Sequence, residues 1–328
     1  MSTLKAVITK RTYPFAAIVG QEEMKRALLL AAIDPNLGGV LLFGERGTGK
    51  TTAVRGLRDI LPPIEISEGN EYNELTGLEN ELTIQRPLID LPLGVTEDRL
   101  LGSLHLEYAI KKGEKVFEPG LLAKANRGLL YIDEVNLLED SIVDLLLDVA
   151  ASKENIVERD GISVRHPAEF VIIGSCNPEE GELRPQLLDR FGLSVQLKKE
   201  DDTKERAEVV RRRLKFEDNA DEFVMLFEKA SSELREQLTN AIGILDSVII
   251  SDQTVERATR VAQYLGLEGH RAELAMVRAA RAVAALGGRL VTTIDDVDAV
   301  APMCLRHRMK THEPSLTQKH IEDALESV

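Results

Sequence analysis

Gly44-Glu45-Arg46-Gly47-Thr48-Gly49-Lys50-Thr51 decides how this 328-residue chain reads. The stretch fits the pattern G-x-x-x-x-G-K-[ST]. Residues 39–43 before it are an unbroken apolar run, as in a strand buried on both faces. Residues 50–61 behind it have helical periodicity that stops at Pro62-Pro63. Strand, glycine loop and helix in that order make the pattern a phosphate-binding P-loop, not a glycine-rich turn with an incidental lysine. The glycines let backbone N–H groups turn inward around phosphates at a helix N-terminus. Lys50 then reaches the β- and γ-phosphates, and the Thr51 hydroxyl binds Mg²⁺. The expected ATP cradle is Gly44, Glu45, Arg46, Gly47, Thr48, Gly49, Lys50, Thr51 and Thr52.

Further along, residues 129–134 (Leu-Leu-Tyr-Ile-Asp-Glu) are an apolar strand ending in two acids, a Walker B pattern at this distance from a P-loop. Asp133 is expected to complete the Mg²⁺ shell, and Glu134 to take a proton from the attacking water. Asn177 follows the apolar run 170–174. A neutral amide there can hold the water or the γ-phosphate without adding charge; its competing role is an Asx-turn before Pro178. Arg190 ends a short helical pattern before a strand, and Arg271 opens a helix near the other end of the chain. A guanidinium is permanently charged and forks onto phosphate oxygens, so both suit a γ-phosphate clamp. Singly, each is more often a surface ion pair; the order of the whole set raises them.

Around these motifs, short apolar runs alternate with helical patterns up to about residue 198, which implies a parallel α/β sheet. Strands are expected at 39–43, 64–66, 128–132, 170–174 and 193–197, with helices at 21–33, 50–61, 121–125, 141–150 and 185–190. Two alternating stretches interrupt this rhythm as hairpins, one at 104–117 and one at 155–164 around Asp160-Gly161. The acidic stretch 65–81 is expected to be a loop. After residue 198 the strands stop, and helical patterns run at 202–214, 223–238, 254–265, 271–286 and 316–325. The expected fold class is therefore α/β: a three-layer core with inserted β-hairpins (1–198), then an all-α helical domain (199–328). Arg211-Arg212-Arg213 is expected to be a solvated helix face.

The order P-loop, Walker B, Asn177, Arg190, Arg271 resembles the AAA+ ATPases. The two hairpins match the branch with an insert near the second helix and another before the first sensor. Within it, residues 15–25 (Phe-Ala-Ala-Ile-Val-Gly-Gln-Glu-Glu-Met-Lys), 90–99 (Asp-Leu-Pro-Leu-Gly-Val-Thr-Glu-Asp-Arg) and 177–192 are similar to the I-subunit family of magnesium chelatase. The resemblance is dense up to residue 197 and looser beyond, and the segment between Glu68 and Arg86 is shorter than is usual in that family. It implies a hexameric ring assembled with a D subunit. ATP hydrolysis by that ring drives an H subunit, which binds the porphyrin, to insert Mg²⁺ into protoporphyrin IX. It also implies that Ile18 and Val19 pack on the adenine, that Arg190 acts on a neighbour's nucleotide, and that Arg271 is a second sensor. A MoxR-like AAA+ chaperone shares both hairpins and is the alternative.

Composition narrows the rest. The net charge of −14 counts against nucleic acid as partner, and against a motor related to replicative helicases. No apolar run approaches the length of a membrane span, and residues 1–11 lack the apolar core of a signal peptide. Cys176 and Cys304 have no metal-ligand spacing and are expected to be buried, reduced thiols. The expected location is a bacterial cytoplasm, or the stroma for a plastid protein.

Overall fold

The structure, a computed structural model, describes residues 11–77, 80–104, 116–159, 161–181, 183–197, 202–309 and 314–328. Its centre is a five-stranded parallel sheet. The strands of the chain are β1 (Val40–Phe43), β2 (Ile64–Ser67), β3 (Glu81–Ile84), β4 (Leu88–Leu91), β5 (Gly102–Leu104), β6 (Phe117–Pro119), β7 (Gly128–Ile132), β8 (Glu154–Arg159), β9 (Ile162–Pro167), β10 (Phe170–Cys176) and β11 (Leu193–Gln196). The central sheet has the order β11-β1-β10-β7-β4, all neighbours parallel. β10 thus lies between the P-loop strand and the Walker B strand, so the C-terminal ends of all three open on the same edge.

The helices are α1 (Glu22–Ile33), α2 (Lys50–Ile60), α3 (Glu97–Leu101), α4 (Leu121–Ala125), α5 (Asp140–Ser152), α6 (Pro185–Leu188), α7 (Thr203–Asp218), α8 (Ala220–Leu226), α9 (Glu228–Ile244), α10 (Asp252–Tyr264), α11 (Arg271–Leu286), α12 (Ile294–Leu305) and α13 (Pro314–Ser327). Alternate strand residues feed opposite faces of the sheet. Val40, Leu42, Leu129, Tyr131, Val171 and Ile173 join one core with α1, α2 and the helices from α9 onward. Leu41, Leu130, Ile132, Phe170 and Ile172 join a second core with α4 and α5. The helical segment shares the first of these cores. Its α11 presents Ala272, Ala275, Ala279 and Ala282, small residues that let neighbouring helices approach closely, and Arg281 reaches the fully buried Asp34 at 2.7 Å.

Several expectations change. Residues 64–66 do form a strand, but β2 pairs antiparallel with β3 outside the parallel sheet. Its place is taken by β4, which pairs with β7 from Leu88↔Leu129 to Leu91↔Ile132. The charge of Asp90 inside Leu-Ile-Asp-Leu hides an edge strand whose one-sided burial tolerates a carboxylate. The 65–81 stretch is therefore bounded by two paired strands and pinned by Ser67 N–H to Glu74 O at 2.8 Å. The 223–238 pattern is two helices, broken at Phe227, and α12 was hidden by Pro302 within it. The cap of α10 is Ser251, whose side chain accepts the Thr254 N–H.

Both expected hairpins have paired stems. β5 and β6 pair from Gly102↔Pro119 to Leu104↔Phe117, while the rest of the first hairpin, residues 105–115, lies outside the described residues. β8 and β9 pair from Glu154↔Pro167 to Arg159↔Ile162, and Gly161 supplies the left-handed turn at φ 73°. Asp160 lies outside the described residues. Among the described residues no helix is long and apolar enough to cross a membrane. Cys176 and Cys304 are free and buried, and burial pushes their thiols up to about 11 and about 12.

Candidate active site

The P-loop turns between β1 and α2 through two left-handed glycines, Gly47 (φ 83°) and Gly49 (φ 84°), where any other residue would be strained. Its residues line a cavity of 780 Å³ at the C-terminal edge of the sheet, with Glu45, Arg46, Gly47, Thr48, Gly49, Lys50, Thr51 and Thr52 on one wall. Gly44 lies just beneath, where a Cβ would come within 2.9 Å of Leu197. Lys50 is buried and donates to the carbonyl of Gly44 and, at 3.0 Å, to that of Glu45. Burial lowers its pKa, opposed by the nearby charge of Asp133.

Facing the loop are the two acids at the end of β7, with Ser175 and Asn177 at the end of β10. Glu134 has left-handed backbone (φ 59°), uncommon for a residue with a side chain, and its N–H is held by Ser175 Oγ at 3.0 Å. Ser175 in turn donates to Asp133 Oδ1 at 2.6 Å. Tyr131, two residues before Asp133 and so on the same strand face, also donates to that oxygen at 2.9 Å; its hydroxyl lies 3.1 Å from Thr51 Oγ1. Arg46 pairs with Glu134 at 2.8 Å and with Glu180 at 2.8 Å. Asn177 is buried against the cavity, and its side-chain oxygen accepts the Glu179 N–H at 3.3 Å. It makes the Asx-turn and lines the site at once.

The opposite wall carries Tyr13, Ile18, Val19 and Gln21, and helix α7 brings Arg206, Val209 and Arg213. The solvated-face expectation for 211–213 holds for Arg211 and Arg213, which are exposed, and is refined at two positions. Arg213 lines the cavity, and Arg212 donates to Ala17 O at 3.0 Å. Tyr13, Phe216 and Phe223 stack with ring centres 5.2 to 5.7 Å apart, which clamps α7 and α8 onto the segment before α1. No local pattern in the sequence marks Arg206 or Arg213 as cavity residues. For Tyr131 and Ser175 a signal existed, since each stands two residues from a predicted site residue on a strand.

Arg190 and Arg271 are not brought to this cavity. Arg190 pairs with Asp148 on α5, and Arg271, at the start of α11, pairs with Asp189 at 2.7 Å. Arg308 holds the same turn, donating to Asp189 O at 2.9 Å and Phe191 O at 2.8 Å. Arg190 thus stands in the turn before β11 and Arg271 is tied to it, and neither lines the cavity of the phosphate loop.

For Mg²⁺ the donor set fits. A hard cation takes oxygen ligands, commonly one carboxylate with a hydroxyl and substrate phosphates, not an all-protein cage. Thr51 and Asp133 supply that pair, tied through one phenol. Among the described residues no cluster of three or more His, Cys, Asp or Glu could form such a cage.

A P-loop at the switch edge of a parallel sheet, Walker acids, a polar residue on the intervening strand and an appended helical segment define an AAA+ ATPase. The chain belongs to the magnesium chelatase ChlI family: the model described as magnesium chelatase, subunit ChlI, matches residues 14–186, and an AAA lid domain matches residues 255–328. It is 51% identical to the magnesium-chelatase 38 kDa subunit of Acidiphilium rubrum, across 95% of this chain and 96% of that one. It is 52% identical to the subunit of that name from Rhodobacter capsulatus (92% and 89%). A magnesium-chelatase subunit ChlI homolog of Methanocaldococcus jannaschii is 46% identical (97% and 92%). Among solved structures, a complex of the BchI and BchD subunits of magnesium chelatase contains a chain 49% identical, with TM-score 0.56, covering 96% of this chain and 99% of that one.

Proposed function

We propose that this chain is the ATP-hydrolysing motor of a magnesium chelatase, acting with D and H subunits to insert Mg²⁺ into protoporphyrin IX for chlorophyll or bacteriochlorophyll. The observation that carries this is the convergence of Lys50, Thr51, Asp133, Glu134 and Asn177 on one cavity. The relatives named magnesium-chelatase subunits, at about half identity over nearly the whole chain, support it and leave the MoxR-like alternative without a specific observation.

In this proposal the P-loop amides and Lys50 bind the β- and γ-phosphates, and Ile18 and Val19 flank the adenine. Thr51 and Asp133 hold the catalytic Mg²⁺, which supplies charge neutralisation across the phosphates when bound. Glu134 accepts the proton of the attacking water, and the NH₂ of Asn177 orients that water or the γ-phosphate. Arg190 serves the γ-phosphate of a neighbouring subunit in a ring, proposed to be a hexamer, and Arg271 acts as the second sensor. Arg190 pairs with Asp148 and does not line its own chain's cavity, which supports its assignment to the neighbour. Residues 1–198 form the nucleotide-binding unit and 199–328 the helical one, in a bacterial cytoplasm or a plastid stroma.

The test is reconstitution. The chain, D and H subunits, protoporphyrin and Mg²⁺ are combined with ATP, and metallated porphyrin is followed by fluorescence. ATP-dependent product is expected. Normal ATP hydrolysis with no metallation would overturn the chelatase assignment while sparing the ATPase.

A further inference from the structure

We propose that Tyr131 is the positioning residue of the nucleotide's Mg²⁺ site, accepting a hydrogen bond from the Thr51 hydroxyl and donating one to Asp133 so that both ligands turn lone pairs toward the metal. This rests on the assignment of Thr51 and Asp133 as Mg²⁺ ligands. A phenol has one proton, and that of Tyr131 is committed to Asp133 Oδ1 at 2.9 Å. Thr51 Oγ1 lies 3.1 Å from the same phenol oxygen, so within that pair Thr51 must be the donor. A hydroxyl ligates a cation through a lone pair, and its hydrogen has to point elsewhere. Tyr131 provides that elsewhere.

The other half of the relay fixes Asp133. Ser175 Oγ donates to the same Oδ1 at 2.6 Å while accepting the Glu134 N–H at 3.0 Å, so both donors fall on one carboxylate oxygen and Oδ2 receives neither. The donor order is Thr51 to Tyr131 to Asp133 from one side and Glu134 to Ser175 to Asp133 from the other. Tyr131 is 2% exposed, packed in the core between the sheet and α2, so the relay cannot swing away. Groups that hydrogen-bond metal ligands in this way change metal affinity about 10- to 100-fold when removed.

The experiment measures binding of a fluorescent ADP analogue by the full chain across a Mg²⁺ titration and, separately, in EDTA. In the wild type Mg²⁺ should tighten binding. If it does not, the assignment of Thr51 and Asp133 as Mg²⁺ ligands fails before the proposal about Tyr131 is reached. In Tyr131→Phe, which keeps the ring's packing, the Mg²⁺ midpoint should rise about tenfold or more, and the ratio of affinities with and without Mg²⁺ should shrink. A midpoint within twofold of wild type overturns the proposal. So does a parallel loss of both affinities, which marks a merely structural role. Ser175→Ala removes one donor to Asp133 but spares the Thr51 link, so its shift should be smaller. Equal shifts in the two variants would overturn the claim that Tyr131 orients Thr51 as well.

Discussion

Arg46 and Glu134 form a forked ion pair, in which Nε at 3.0 Å and Nη2 at 2.8 Å reach the same carboxylate oxygen. The same Nη2 lies 2.8 Å from Glu180, so one P-loop cation sits between the end of the Walker B strand and the turn after Asn177. A guanidinium here offsets two carboxylates at the mouth of a cavity built for an anion. Arg46→Gln should therefore weaken ADP binding in EDTA only modestly, by about two- to fivefold, as suits a largely exposed pair. Calorimetry checks this; unchanged affinity would show that the nucleotide does not sense the pair.

Glu134 and Lys50 should separate binding from chemistry. Glu134→Gln keeps the oxygen geometry and loses the proton acceptor, so ATP should bind while turnover falls about 10²-fold or more. Lys50→Ala removes the buried cation aimed at the phosphates and should largely abolish hydrolysis. Steady-state phosphate release paired with nucleotide-binding measurements reads both. Near-normal turnover by Lys50→Ala would sink the P-loop assignment, and loss of binding by a folded Glu134→Gln would sink the division of labour.

Arg190 provides the sharpest test of assembly. Arg190→Ala and Glu134→Gln should each be nearly inactive alone, since arginine fingers contribute about 10³-fold or more. Mixed in equal amounts, roughly one interface in four combines an intact Glu134 with an intact Arg190 from the next subunit. ATPase activity should return to at most about a quarter of wild type, above the sum of the separate variants. An assembled mixture with no recovery would place Arg190 in its own subunit's chemistry, or in a structural pair with Asp148.

His307 gives the fold a pH dependence of known sign. Its Nε2 is 2.8 Å from Phe191 O, and burial beside Arg308 pushes its pKa from 6.5 down to about 3. The unfolded chain binds this proton below about pH 6.5 and the folded chain only near 3, so stability falls as pH drops through that window. His307→Gln keeps a donor near Phe191 and removes the titration. Its urea midpoint should fall less than the wild type's between about pH 6.5 and 4; parallel curves would rule the histidine out as a cause.

What the sequence determined by itself is whatever chemistry sits on contiguous backbone. A phosphate cradle needs consecutive N–H groups between a strand and a helix, so Gly44 to Thr51 carry their meaning locally. Asp133, Glu134 and Asn177 are legible for a similar reason, because each ends an apolar strand on the edge where a parallel sheet binds ligands. Tertiary structure alone decided which side chains from other elements complete that edge. Tyr131 and Ser175 each stand two residues before a predicted site residue, yet only the packing of α2 sets Thr51 beside the first, and only the pairing of β10 with β7 sets Asp133 beside the second. The exposed Arg213 also lines the cavity only because an aromatic clamp lays α7 across it, and Arg271 reaches Asp189, the neighbour of Arg190 in the chain, only because α11 and α12 pack back toward the turn before β11. Local pattern encodes the hydrogen-bonding and burial of a single element. The adjacency of elements far apart in the chain follows from how their apolar faces share a core, and no window of sequence contains that.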